Sequence, residues 1–190
     1  MKKPLVLSIF FVAIIWAYVQ WGLDGIPGQG MYSLLGKGSA TKQMMFKYIR
    51  QYNTIIDSVR LKYIIECYLW ESDFEGVNSD VAFAQMCHET NFLKFDGNIR
   101  SHQNNFNGLG TMVYDVYWAC FLTIKQGVRA HVQHLKAYGT KKPLQNPCID
   151  PRFDIVKRGS VQEVCNLNNQ WAGPAYGKCI EKKIDMLLSM

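Results

Sequence analysis

The chain has 190 residues, 48% of them hydrophobic and 19% charged, with a net charge of +6. That balance excludes a disordered or fibrous chain and fits one globular domain plus an extension. The positive charge, which survives removal of Lys2 and Lys3, suits an anionic polymer, but no helix-turn-helix, RNA-binding or zinc-finger pattern accompanies it, so no nucleic-acid partner is expected.

Residues 1–23 read as an export signal or N-terminal membrane anchor, because Met1–Lys3 is a short positive stretch and Leu5–Val19 is almost purely apolar. Trp16, Tyr18 and Trp21 suit a membrane interface and no small-x-small cleavage site follows, which favours an uncleaved anchor. The expected location is therefore exported, either anchored and facing the cell envelope or secreted; no Cys follows for lipoprotein processing. Residues 24–40 are Gly-rich and predict a linker. Within it, Gly36-Lys37-Gly38-Ser39 lacks the spacing of a phosphate-binding loop.

Residues 41–190 carry the predicted domain, expected as a monomer. Thr41 caps a helix that runs to Tyr52, and a second helix spans Ser58–Glu71 with Val59, Leu61, Tyr63, Ile64, Ile65 and Tyr68 as its apolar positions. Ser79 as N-cap and Asp80 as first-turn acid open a third helix that ends at Glu89. Leu93–Cys120 has no helical period and holds turn residues, which predicts a small lobe with a hairpin. Phe121–Tyr138 is a fourth helix with Val128, His131, Val132 and Leu135 as its stripe and Gly139 as its stop. Pro143, Pro147 and Pro151 mark an extended connection, followed by a short helix near Ser160–Trp171 and a last one over Pro174–Leu188. The fold class is mainly α, an α+β arrangement of a helical lobe and a small β-lobe or hairpin.

Glu89 is the candidate for chemistry. Ala82, Gln85 and Glu89 share one helix face by i, i+3, i+7 spacing, while Phe83 and Met86 occupy another. In the last turn the negative end of the helix dipole disfavours a carboxylate, and apolar neighbours push the same way. Both effects raise the pKa, as a general acid near neutral pH requires. His131 with His134, or His88 with His102, lack any metal-site spacing, so neither a metal nor another cofactor is expected. Cys87 and His88 are adjacent on a helix and point apart, which rules them out as a nucleophile–base pair. Asp150-Pro151-Arg152 predicts a turn with a structural salt bridge, and Trp171 a core residue with a face suited to stacking on sugar. Six cysteines in an exported chain predict disulfides of undetermined pairing, with Cys87 set apart as a buried free thiol.

Five blocks in order carry a resemblance: AFAQMCHETNFL (Ala82–Leu93), NNFNGLG (Asn104–Gly110), GVRAHVQHLKAYG (Gly127–Gly139), NPCIDPRFDIVKRGS (Asn146–Ser160), and Trp171 with the Tyr176-Gly177 pair. From Met31 to the C-terminus the chain resembles the glucosaminidase domain of glycoside hydrolase family 73. That family is similar to lysozyme in fold and cleaves peptidoglycan glycan strands at N-acetylglucosaminyl linkages. The resemblance implies a lysozyme-like helical lobe with a small β-lobe beside a cleft, Glu89 as catalytic acid and Tyr176 lining the cleft. It also implies a groove floor shaped by Asn105, Phe106 and Gly108, and peptidoglycan as partner. The chain departs from the family pattern at Asn91 and Asp96, where Gly is common, and over Thr111–Cys120 in place of a Gly-rich segment. A second carboxylate is expected in that lobe, where Asp115 is the acid available; Asp96 follows Glu89 too closely to reach across a cleft. The implied reaction is hydrolysis of a β-1,4 bond. Its second step would use either Asp115 or the substrate's own acetamido group, oriented by Tyr176. A lytic transglycosylase and a non-catalytic glycan-binding scaffold are the competing functions.

Overall fold

The computed structural model describes residues 32–111 and 117–190. The predicted anchor and Asp115 therefore lie outside the described residues. What is described is mainly helical: α1 (Lys42–Tyr52), α2 (Ser58–Glu75), α3 (Ser79–Glu89), α4 (Ile124–Gly139) and α5 (Tyr176–Leu188), with 3-10 turns at Ser101–Gln103 and Val164–Leu167. Gly110–Thr111 pairs antiparallel with Tyr117–Trp118, two residues on each side, so a hairpin base is present in the predicted segment but no larger β-lobe among the described residues. No described helix is long and apolar enough to cross a membrane.

Helix ends follow local chemistry. Thr41 caps α1 by accepting from the Met44 amide at 3.2 Å, as its position predicts. Asp57 caps α2, and Gly76 ends it in the left-handed conformation (φ 72°). Helix α2 runs one turn beyond the predicted Glu71. Asn78, not Ser79, caps α3, its side chain accepting from the Asp80 amide at 3.0 Å. The short helix expected near 160–171 contracts to the 3-10 turn, and α4 starts at Ile124 because Thr123 supplies its cap.

Helix α3 is the centre of the molecule. Every residue from Ser79 to Cys87 is buried, so the helix is enclosed on all sides rather than on one face, with Asp80 and Gln85 among its buried polar groups. It packs chiefly against α5, while α2 packs against α4. Tyr48, Tyr68, Phe83 and Phe106 are the largest fully buried side chains; each such aromatic stabilises the fold by about 1.5–3 kcal/mol through burial.

Residues 32–40 are no free linker. Leu34 is fully buried, its amide donates to Gln162 O at 2.9 Å, and its carbonyl accepts from Asn78 N at 2.9 Å. Asp80 completes the attachment, accepting from the Ser39 and Ala40 amides at 2.6 and 3.0 Å. A first-turn acid thus pins the entering chain onto the central helix.

Beyond α3 the backbone enters the left-handed region at Asn91, Phe92, Leu93 and Phe95 (φ 45°, 57°, 62° and 54°). Each costs about 1–2 kcal/mol relative to ordinary backbone, so the surroundings must hold them. Asn53 Nδ2 donates to Phe92 O at 3.0 Å, Leu93 N donates to Thr90 Oγ1 at 2.9 Å, and the Phe92 ring stacks on Tyr52 at 3.9 Å. The family departures Asn91 and Asp96 hydrogen-bond to each other at 2.8 Å, closing the turn with side chains. The sharp reversal swings Phe95 and Ile99 back beside Glu89.

At the other edge Gly127 lets α4 touch the loop before it. A Cβ at Gly127 would lie 1.7 Å from Asn104 O. Gly127→Ala is therefore expected to lower unfolding free energy by about 1–3 kcal/mol through overpacking, read from the urea midpoint at unchanged slope.

Candidate active site

Helix α3 emerges from the core only at its last turn, where His88 and Glu89 are half-buried. One oxygen of Glu89, Oε1, accepts from Trp171 Nε1 at 3.1 Å and from the Tyr176 hydroxyl. The other, Oε2, faces Gly108, where a Cβ would come within 3.6 Å of it. Burial raises the Glu89 pKa above the usual carboxylate value, and the Tyr176 and Trp171 hydrogen bonds only partly offset it. The direction matches the sequence expectation; burial is its main cause.

A cleft of about 320 Å³ opens on Glu89, walled by Phe95, Ile99, Asn107, Gly108, Trp118 and Trp171. A second cavity of about 160 Å³ shares Asn107, Gly108 and Trp171 and continues toward His134, Tyr138 and Arg152. A larger cavity, about 870 Å³, lies around Lys37, Tyr63 and Trp70 and includes none of these residues. Asn107 stands at the junction of the two small cavities. It is 2% exposed, yet neither Nδ2 nor Oδ1 has a protein partner. Leaving a buried amide unpaired costs about 1–3 kcal/mol per group, which marks Asn107 as built to meet something else.

Behind the cleft runs a buried polar chain. Gln85, one turn before Glu89, donates Nε2 to the Tyr176 hydroxyl at 2.8 Å, and its Oε1 lies 2.9 Å from His131 Nε2. His131 Nδ1 lies 2.9 Å from the Tyr68 hydroxyl. Burial, with His134 nearby, pushes the His131 pKa down to about 3, so the ring is neutral.

The structure sorts the sequence candidates. Glu89, Tyr176 and Gly108 come together. Asn105 and Phe106 are fully buried beneath the cleft and do not line it. Asn105 instead ties the loop, donating to Leu109 O at 2.7 Å and Ala119 O at 3.1 Å and accepting from Leu109 N at 3.1 Å. Phe106 packs against Tyr68 and Phe95. These two can shape the floor only indirectly. Tyr176 donates its single hydroxyl hydrogen to Glu89, so that group is not free to orient a substrate.

Asp115 lies outside the described residues, and Asp96, which accepts from Asn91, is not among the residues lining the cleft. Trp171, read as core, lines the cleft and holds the acid. Asn107, Trp118 and the pairing of Gln85 with His131 have no mark in the sequence beyond the place of Asn107 between Phe106 and Gly108.

Other expectations change as well. None of the six cysteines is paired: Cys67 and Cys87 are buried, Cys165 is half-buried, and Cys120, Cys148 and Cys179 are exposed. The expected disulfides are thus absent, while Cys87 is a buried thiol whose pKa burial pushes up. His134 Nδ1 hydrogen-bonds Asp150 Oδ2 at 2.7 Å, so the side-chain partner of the Asp150 turn is a histidine. Among the described residues no cluster of His, Cys, Asp or Glu is arranged to hold a metal ion.

No family model matches the chain, and no solved structure does. Among curated proteins, an uncharacterized protein of Borreliella burgdorferi is 36% identical over 155 residues, a match covering 82% of this chain and 74% of that protein. At that identity and coverage, the chain belongs to the same family as the Borreliella burgdorferi protein.

Proposed function

We propose that the protein is a glycoside hydrolase that cuts β-1,4 bonds of peptidoglycan glycan strands at N-acetylglucosaminyl linkages, with Glu89 as general acid. The observation that carries the reading is one carboxyl at the mouth of the central helix, raised in pKa by burial, with one oxygen held by Trp171 and Tyr176 and the other facing a cleft. Protonated Oε2 would give its hydrogen to the bridging oxygen as positive charge develops on the sugar. The hairpin base at Gly110–Thr111 and Tyr117–Trp118 would belong to the small β-lobe of a lysozyme-like fold. Such a substrate lies outside the cytoplasmic membrane, so the enzyme would be exported, with the apolar stretch of residues 5–19 as signal or anchor, and would act as a monomer.

For the second step, the substrate-assisted route has the better support. The unpaired amide of Asn107 offers one donor set and one acceptor at the cleft wall. An acetamido group presents the complementary N–H and C=O. Asn107, rather than Tyr176, would orient it. Asn107→Leu is expected to raise KM about tenfold on N-acetylated wall, the loss of one to two hydrogen bonds. De-N-acetylated wall lacks the attacking group, so by this route the wild type and the variant should both cleave it poorly. Asp115→Asn should be mild by this route and as damaging as Glu89→Gln if Asp115 is the second catalytic group; wall-clearing rates of the two variants decide between them. A lytic transglycosylase would use the same acid but leave anhydro-muramic ends, and a scaffold would leave the wall intact. Zymography and product masses test the reading against both.

A further inference from the structure

The polar chain behind Glu89 has only one orientation that satisfies its members. Tyr68 is fully buried, and among the described residues His131 is the single hydrogen-bond partner of its hydroxyl. If Tyr68 accepts from His131, its own hydrogen has no acceptor, a cost of about 1–3 kcal/mol. Tyr68 therefore donates to His131 Nδ1, and the neutral ring carries its hydrogen on Nε2. That hydrogen goes to Gln85 Oε1, which aims Gln85 Nε2 at the Tyr176 oxygen. With its oxygen accepting, Tyr176 must donate, and the acceptor is Glu89 Oε1. Trp171 Nε1, which can only donate, ends on the same oxygen at 3.1 Å. Two donors on Oε1 make it the carbonyl-like oxygen of the neutral acid.

Resting on the hydrolase reading for its functional meaning, we propose that Tyr68, His131 and Gln85 are positioning residues that fix the Tyr176 hydroxyl as a donor to Glu89 Oε1. They thereby place the acidic hydrogen on Oε2, the oxygen that faces the cleft. The relay links α2, α4, α3 and α5, so core packing and proton placement are one structure. No charged side chain hydrogen-bonds to Glu89 among the described residues. The titratable groups around the relay are Cys67 on α2, Cys87 and His88 on α3, Cys179 and Lys183 on α5, and His134 on α4.

Breaking the relay frees Tyr176 to turn away, and Glu89 loses a donor that stabilises its charged form. Its pKa then rises, so the alkaline limb of activity moves to higher pH, while the plateau rate falls because the hydrogen is no longer held on Oε2. The test compares wild type with Gln85→Leu and Tyr68→Phe, the second being nearly isosteric and four hydrogen bonds from the acid. The Glu89 midpoint is followed by carbon-13 NMR of the labelled carboxyl, assigned with Glu89→Gln, beside the pH profile of wall cleavage. Both variants should raise the Glu89 midpoint and lower kcat about tenfold with KM unchanged. An unmoved midpoint in variants that fold would overturn the proposal. If the midpoint moves but wild type cleaves no wall, the proton placement stands and the hydrolase reading falls.

Discussion

Glu89→Gln is expected to cut wall cleavage by about 10²–10⁴-fold, the usual contribution of a general acid, without loss of stability. The amide is isosteric with the acid, its Oε1 can still accept from Trp171 and Tyr176, and its other end replaces the oxygen facing Gly108. The stability sign follows from the pKa direction. A carboxyl whose pKa is higher in the folded than in the unfolded chain favours folding in acid, and that contribution is lost as pH rises through the folded value. At neutral pH the wild type therefore carries a penalty that Gln removes, so the melting temperature of the variant should equal or exceed that of wild type. For the same reason wild-type activity should fall as pH rises through the Glu89 pKa. Calorimetry beside a turbidity assay of wall clearing checks both halves. A variant that clears wall at the wild-type rate would remove Glu89 from the chemistry.

The largest stability effect is expected at Lys136→Met. Glu75 and Lys136 form a buried ion pair at 2.7 Å between α2 and α4, and the Glu75 carboxylate also accepts from the Gln145 and Asn146 amides. Burial alone would raise the Glu75 pKa; Lys136 and the two amides outweigh it and hold it below the usual value. Removing the lysine leaves a buried carboxylate without its counter-ion, a loss of about 3–5 kcal/mol, or roughly 6–20 °C in melting temperature for a chain of this size. The double variant Glu75→Gln/Lys136→Met should recover much of that. A depressed carboxylate stabilises above its unfolded pKa and ceases to do so as pH falls through its folded one. The gap between wild type and Lys136→Met should therefore close in acid. Thermal unfolding across the acidic range measures it; a gap constant with pH would show that the loss is packing rather than charge.

That ion pair also shows why the second helix reads one turn short in the sequence. Glu71 and Glu75 look like a solvent-facing end, yet both are buried, Glu71 against Arg129 and Glu75 against Lys136. Their partners lie on a helix some sixty residues away, beyond the reach of periodicity. Where the controlling contact is local, as at the Thr41 cap, the sequence reading holds. The cap of α3 moved by one residue because Asn78 and Ser79 are both good caps and only the observed geometry chooses. The same divide runs through the site. Glu89, Tyr176 and Gly108 are legible because they sit in patterned blocks. The roles of Trp171, Gln85 and His131 come from contacts across the fold, and a histidine on an apolar stripe or a glutamine in a buried helix has no local mark of such a task. Residues 91–95 illustrate a third case: Phe92, Leu93 and Phe95 have left-handed backbones that nothing in their side chains announces.

The most direct test is mass spectrometry of the glycans released from purified peptidoglycan by the wild-type chain and by Glu89→Gln. A general acid working on a glycan strand predicts fragments ending in reducing N-acetylglucosamine from the wild type and essentially none from the variant. An intact wall with both, or the same fragments from both, would contradict it.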